Sequence, residues 1–315
     1  MNVISTLIIA VFLLSGFPTN SLQAITEADV PVIDCKINRA DKRKGEVAVC
    51  AVFRDEGDYL LEWIEYHRLV GVSHFYLYNN CSADQYWEIL RPYVEKGIVE
   101  LFDVPYDSYG SNDGAASHNV VQVRCYNHAI KLSRKNNTWL AIIDADEFIC
   151  PVVDKTIQVA LKRYGNIDSL VVYWQMYGTS NVWDLKPNEL LIEKLTMKAP
   201  NNGDTPLFKS IVRPKTARCV DPHWTTVSGD QLIPNGQRFH HGIPFSSLPV
   251  DIIRINHYTN RTESFYHLFK KHRRARWGDR PSPEEERSRL DTNNAVSDPV
   301  MMQFVPELKN RLNKN

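Results

Sequence analysis

From residue 46 onward the chain alternates between two hydrophobic patterns. The run "EVAVCAVF" (46–53) is almost continuously apolar and rich in valine, which predicts a strand buried on both faces. In "DYLLEWIEYHRLVG" (58–71), Leu60, Trp63, Ile64, His67 and Val70 recur at helical spacing and Gly71 closes the segment, so an amphipathic helix comes next. "SHFYLYNN" (73–80) reads as an aromatic strand, and "SADQYWEILRPYVEKG" (82–97) as a helix entered through Ser82 or Asp84. "IVELFDV" (98–104) is a third strand. A loop rich in Gly, Ser, Asn and Asp (106–119) leads into a helix (120–137) and then the strand "TWLAIID" (138–144). This β-α-β-α-β order predicts an α/β fold with a mainly parallel central sheet and helices on both faces. Beyond residue 150 the pattern predicts strands over 168–178, 207–214 and 252–258, then a helix over 262–278. The implied division is a leader at 1–24, a linker at 25–45, a main domain at 46–280 and a charged C-terminal extension at 281–315.

The fourth strand ends in charge. "TWLAIIDADEFIC" (138–150) delivers Asp144, Asp146 and Glu147 directly after its apolar half. In open α/β sheets ligands sit beyond the carboxyl ends of the strands, so these acids fall at a site edge. A D-x-D pair at a strand terminus can direct two carboxylates toward Mg²⁺ or Mn²⁺, ions that take oxygen ligands and bind substrate phosphates. Held there, such an ion would neutralise the charge developing on a diphosphate leaving group. The bland alternative is a solvated strand end, which the apolar lead-in and the preceding β-α-β-α-β run disfavour.

Composition narrows the partners. Among 315 residues Lys plus Arg equals Asp plus Glu at 37 each, so bulk charge gives a nucleic-acid partner no support. An uncharged stretch from Val3 to Phe17 has the length of a signal-peptide core or a short signal anchor. It implies work in the secretory pathway or another extracytoplasmic space, with membrane association if the segment is retained. Six cysteines without a CxxC pair argue against a zinc knuckle, and they fit disulfides or buried thiols alike. Asn80, Asn136 and Asn260 head glycosylation sequons.

"CAVFRDEGDYLLEWIEYHRLVGVSHFYLYNNCSAD" resembles the N-terminal signature of glycosyltransferase family 92 and its relatives among the family 2 type GT-A glycosyltransferases. "IIDADEF", "KSIVRPKTARCVDPHW" and "INHYTNRTESFYHLFKKHRRARW" resemble that family's later motifs, in the same order, over roughly residues 46 to 278. The resemblance implies a GT-A, Rossmann-like fold and inverting transfer of a hexose, galactose from UDP-galactose, to a glycan or other hydroxyl acceptor. By position, Arg54 and Glu56 would lie near the nucleotide, and Asn79 and Asp84 would face the base or ribose. Asp144 and Asp146 would be the metal motif for Mn²⁺ or Mg²⁺, with His257 as third ligand or diphosphate contact. Lys271 or Arg274, in an otherwise solvated basic helix, would reach the diphosphate.

Inverting transfer needs a carboxylate or a histidine to take the acceptor's proton. Asp221 in "CVDPHW" is the first candidate, with Glu147 and Asp184 as competitors; His223 is a site residue or a structural histidine in equal measure. After Trp174 many family members continue with a Gly-Ser-x-x-His type segment, where this chain reads "WQMYGTSNVWD" without the histidine. Two other classes compete. A non-catalytic sugar-binding protein would not need the acids intact, and a D-x-D phosphotransferase would carry its motif on the first strand.

Overall fold

The computed structural model describes residues 33–34, 45–104, 107–108, 117–201, 207–241, 248–276 and 278–314. The leader, Cys35 and most of the linker lie outside the described residues. The first half runs β1 (Ile33–Asp34), β2 (Gly45–Phe53), α1 (Gly57–Leu69), β3 (His74–Asn79), α2 (Tyr86–Glu95), β4 (Val99–Asp103), α3 (His118–Ser133), β5 (Asn137–Ile142) and β6 (Glu147–Pro151). Next come α4 (Ile157–Lys162), β7 (Ser169–Met176), α5 (Leu191–Lys194), β8 (Met197–Lys198), β9 (Phe208–Val212), β10 (Arg218–Cys219), β11 (Thr225–Thr226), β12 (Gln231–Leu232) and β13 (Ile253–His257). The chain closes with α6 (Glu263–Phe265), a π-helical turn (Tyr266–Lys270), α7 (Lys271–Arg276), α8 (Pro283–Asn293), β14 (Val296–Ser297), a 3₁₀ turn (Val300–Phe304) and α9 (Val305–Leu312).

One sheet of ten strands organises the molecule, in the order β1-β4-β3-β2-β5-β9-β7-β13-β6, with β12 alongside β7. β4, β3, β2 and β5 are mutually parallel, as their helical crossovers require. β9 then enters antiparallel between β5 and β7, β13 runs parallel to β7, and β6 returns antiparallel to β13. The sheet is therefore mixed and mostly parallel, as the sequence pattern predicts. β2 shows why its sequence is continuously apolar. Val47, Val49, Ala51 and Phe53 pack into the core with α1 and α2, while Ala48, Cys50 and Val52 pack on the opposite face with α3.

The strand expected over 138–144 stops at Ile142, and the acids beyond it form a turn into a separate strand, β6. β6 is fastened by α1. Trp63 donates its indole N–H to the Glu147 carbonyl (2.7 Å), and the Tyr66 hydroxyl donates to that of Ile149 (2.9 Å). His67 Nε2 accepts from the Ile149 amide at 3.3 Å while Nδ1 lies 2.8 Å from the Trp63 carbonyl, which fixes the neutral Nδ1–H tautomer. Burial pushes this imidazole down to about 3.

The segment read as a charged C-terminal extension is folded onto the domain. Met301, Phe304, Val305 and Leu308 are buried in the same core as α1. Asp298 accepts from the buried Arg254 of β13 at 2.7 Å. Charge dominates the exposed face of α8 and hides the apolar anchors that come after it. Of the sequon asparagines, Asn80 is wholly buried and Asn260 is 3% exposed, whereas Asn136 is half-buried at the end of α3. Among the described residues, Cys50, Cys81, Cys125, Cys150 and Cys219 are free thiols.

Leu308→Ala should lower the free energy of unfolding by about 2–5 kcal/mol, the usual cost of emptying a packed leucine site. Urea denaturation checks it, and a change near zero would show that α9 is not part of the core.

Candidate active site

The turn Asp144-Ala145-Asp146 lies at the carboxyl end of β5 and lines a cleft of about 640 Å³. Also on its walls are Glu56, Gln122, His118, His223, His257, Lys270 and Arg273. They come from β2's end, α3, the β10–β11 turn, β13 and the π turn, so the sheet's carboxyl edge is where distant segments meet.

Each acid has a different partner set. Asp144 accepts from Lys209 Nζ (2.9 Å), the Tyr126 hydroxyl (3.0 Å) and Gln122 Nε2 (3.2 Å). Burial would raise its pKa, but the Lys209 ammonium overrides this and holds it below the ordinary aspartate value. Asp146 faces His257 Nε2 at 3.3 Å and Lys270 Nζ at 3.9 Å. Against the cost of burial, the His257 contact leads in holding it well below the usual range. Glu147 is wholly buried beneath the turn, accepts from the Asp144 amide at 3.1 Å, and has Lys209 Nζ 3.8 Å from its other oxygen. Burial pushes its pKa well up.

Asp146, Glu147 and His257 each offer one ligand atom, all within 4.8 Å of one another. Glu147 Oε1 and His257 Nδ1 are buried and have no hydrogen-bond partner among the described residues. Two carboxylates and an imidazole form a donor set that suits Mn²⁺ or Mg²⁺, so the residues present fit a divalent ion. Asp144 stands outside this set, bound by Lys209.

The other residues singled out in the sequence divide clearly. Glu56 lines the cleft and forms a buried ion pair with Arg261, whose guanidinium lies 3.9 Å from the Tyr59 ring centroid. Arg54 pairs with Asp107 just outside the cleft lining. Asn79 bridges Asp103 (2.9 Å) and the Ser82 amide (2.9 Å), and Asp84 accepts from the amides of Gly57 (2.6 Å) and Tyr86 (3.2 Å). Both therefore shape loops at the helix N-termini. Asp221 accepts from the amide of His223 at 2.8 Å and is exposed on its own turn, and Asp184 accepts from the Leu185 amide at 2.9 Å.

The basic helix is shifted by one position. Lys271 pairs with Glu286 (2.7 Å) and Arg274 with Asp279 (2.6 Å), while their predecessors Lys270 and Arg273 line the cleft. Lys270 closes the π turn over Tyr266–Lys270, and Arg273 lies on α7 directly after it. Burial draws the Lys270 ammonium down to about 8. Lys209 is the site residue that sequence reasoning misses. A lysine inside the apolar strand "LFKSIV", only 1% exposed, was the available signal, because a buried cation needs an acid beside it.

Residues 45–296 match the model of glycosyltransferase family 92, and the chain belongs to that family. It is 24% identical over 235 residues to a family 92 protein of Oryza sativa subsp. japonica, covering 71% of this chain and 35% of the relative. A family 92 protein of Ricinus communis is also 24% identical, over 225 residues, covering 68% and 35% respectively. The chain thus spans about a third of the length of these curated relatives. A galactan β-1,4-galactosyltransferase of Arabidopsis thaliana is 31% identical over 108 residues, covering 32% of this chain and 20% of that protein. Among solved structures, S. aureus TarS 1-349 overlaps 78% of this chain and 69% of its own, at 10% identity and a TM-score of 0.38. The same protein in complex with UDP-GlcNAc overlaps 54% and 45%, at 14% identity and a TM-score of 0.34. The family assignment rests on the sequence match.

Lys209→Met should cost roughly 3 kcal/mol near neutral pH, the low end for breaking a buried ion pair, because the Asp144 side chain keeps 25% exposure. In the native protein the depressed Asp144 stabilises the fold above its ordinary pKa near 4, and that contribution fades as pH falls through the lower folded value. The gap between native and variant should therefore narrow in acid. Thermal unfolding from pH 7 to pH 3 measures it, and a constant gap would mean that Lys209 acts by packing alone.

Proposed function

We propose that this chain transfers a hexose, galactose from UDP-galactose, to a glycan hydroxyl with inversion, using a divalent ion. One observation carries the reading: the cleft at the sheet's carboxyl edge brings Asp146 and His257 together with Lys270. Family membership supports it, as does the likeness to a galactan galactosyltransferase over part of the chain. The leader supports a secretory or extracytoplasmic setting. Among the described residues no helix is long and apolar enough to cross a membrane.

Asp146, Glu147 and His257 would hold the ion, which when bound supplies positive charge against the diphosphate. Lys270, 3.9 Å from Asp146, and Arg273 line the same cleft and would add cationic donors where phosphate oxygens gain charge as the sugar departs. Ser117, His118 and Gln122 at the start of α3 line the nucleotide side. Lys209 keeps Asp144 ionised and the turn fixed.

The acceptor's proton goes to His223. Its imidazole lines the cleft against the Trp174 ring at 5.2 Å, and burial pushes it down to about 4, so it is neutral and able to accept. Asp221, bonded to the His223 amide, positions that residue. Glu147 is wholly buried beneath the turn and assigned to the ion, so it is not the base.

In a UDP-sugar panel with Mn²⁺, UDP-galactose should turn over fastest, and Asp146→Ala should abolish turnover. Turnover indifferent to EDTA and to that substitution would refute the metal assignment. His223→Ala should lower kcat by about 10²–10⁴, the usual worth of a positioned base, with UDP affinity unchanged; an unaltered kcat would remove His223 from the chemistry.

A further inference from the structure

A second cavity of about 520 Å³ opens on the other side of His257 and Lys270. It shares those two residues and Thr259 with the donor cleft, so the two spaces meet at the proposed reaction centre. Its far wall is α8, which lies beyond the main domain boundary drawn from sequence. Ser288 and Thr292, and Arg289 and Asn293, stand four residues apart, so α8 turns two polar ridges to one side. With Met176, Leu290 and Trp174 also on the lining, the cavity is mixed, apolar surface set beside these polar ridges.

Three features match a hydroxyl-rich ligand. Trp174 and Tyr266, both largely buried, contribute aromatic surface to the lining, which suits the C–H edge of a sugar. The buried residues Trp174 and Asn260 each keep one polar atom without a hydrogen-bond partner among the described residues, namely Nε1 and Oδ1. Unpaired buried donors and acceptors are costly, and together they offer both halves of hydrogen bonds to hydroxyls. Asp279, clamped by Arg274 at 2.6 Å and Arg289 at 3.0 Å, presents planar charged groups already fixed in orientation.

We infer that this cavity is the acceptor subsite and that it takes the terminal sugar residues of an acceptor glycan, with α8 as its specificity wall. The inference rests on the transferase reading above. Inversion requires the attacking hydroxyl to approach from the side opposite the nucleotide, and this cavity meets the first cleft at His257, Thr259 and Lys270 and carries none of the α3 residues on its lining. A space of this volume, in the range of small-molecule sites, holds about one or two sugar rings. Asn260 heads a sequon, but its place in this lining leaves it to hold a sugar as ligand.

The test separates donor from acceptor. Ser288→Trp fills the cavity from an exposed helix, and Asn293→Ala removes one polar group with little risk to folding. With the full chain and a panel of neutral di- to tetrasaccharides, β-1,4-galactotetraose included, both should raise the acceptor KM, Ser288→Trp by about tenfold or more. The donor KM and UDP affinity should move less than about twofold. An unchanged acceptor KM in Ser288→Trp, or a donor KM that rises in step, would overturn the subsite. Should the native chain neither bind UDP nor turn over a UDP-sugar, the transferase reading fails by itself. Binding of the same oligosaccharides, and its loss in Ser288→Trp, then still decides whether the cavity is a glycan site.

Discussion

Lys209 is the cation on which the acidic turn depends. Three carboxylates within four residues repel one another, and at a sheet edge with little water such a turn would open or take up protons. The ammonium reaches the turn from β9, which runs between β5 and β7 against their direction. The antiparallel strand in an otherwise parallel region therefore has a chemical use. It carries a buried positive charge to the end of β5, where no parallel neighbour supplies one. Burial by itself works against both charges, and their mutual attraction overrides it, holding Lys209 charged and Asp144 ionised.

Around that pair the rest of the site is layered. α1 catches β6 through Trp63, Tyr66 and His67, so the strand that begins at Glu147 cannot slide. β13 sets His257 opposite Asp146, and the π turn brings Lys270 over both. Each element is held by bonds to its backbone, which leaves the side chains at the edge for ligands.

The sequence made the sheet's first half legible because β2, β3, β4 and β5 carry apolar runs separated by helices of clear period. The acids were legible for the same reason: charge interrupts an apolar run where a strand ends. What stayed hidden was nonlocal. Nothing near Lys209 in sequence says that Asp144 lies beside it. Lys271 and Arg274 are taken up by Glu286 and Asp279, pairings that no residue pattern announces, and Lys270 and Arg273 line the cleft instead. The tail's charged composition described its exposed face and masked the anchors Met301, Phe304, Val305 and Leu308, which stand at i, i+3, i+4 and i+7 and so were a stripe the sequence carried. Asp84 and Asn79 were read toward the nucleotide, yet loop geometry consumes their hydrogen-bonding capacity.

The order in which the chain is assembled has a consequence for how it comes apart. The first cleft stands on four parallel strands and their crossover helices, whereas the wall of the second cavity is tied on by ion pairs, Lys271 with Glu286, Arg289 with Asp279 and the buried Arg254 with Asp298, by the short β14–β8 pairing and by the packing of α9. Partial unfolding should begin where the fewest buried contacts must break. A warm or mildly denatured molecule would then lose the α8 wall first while the parallel strands stay folded, so the second cavity would open to water before the first cleft does.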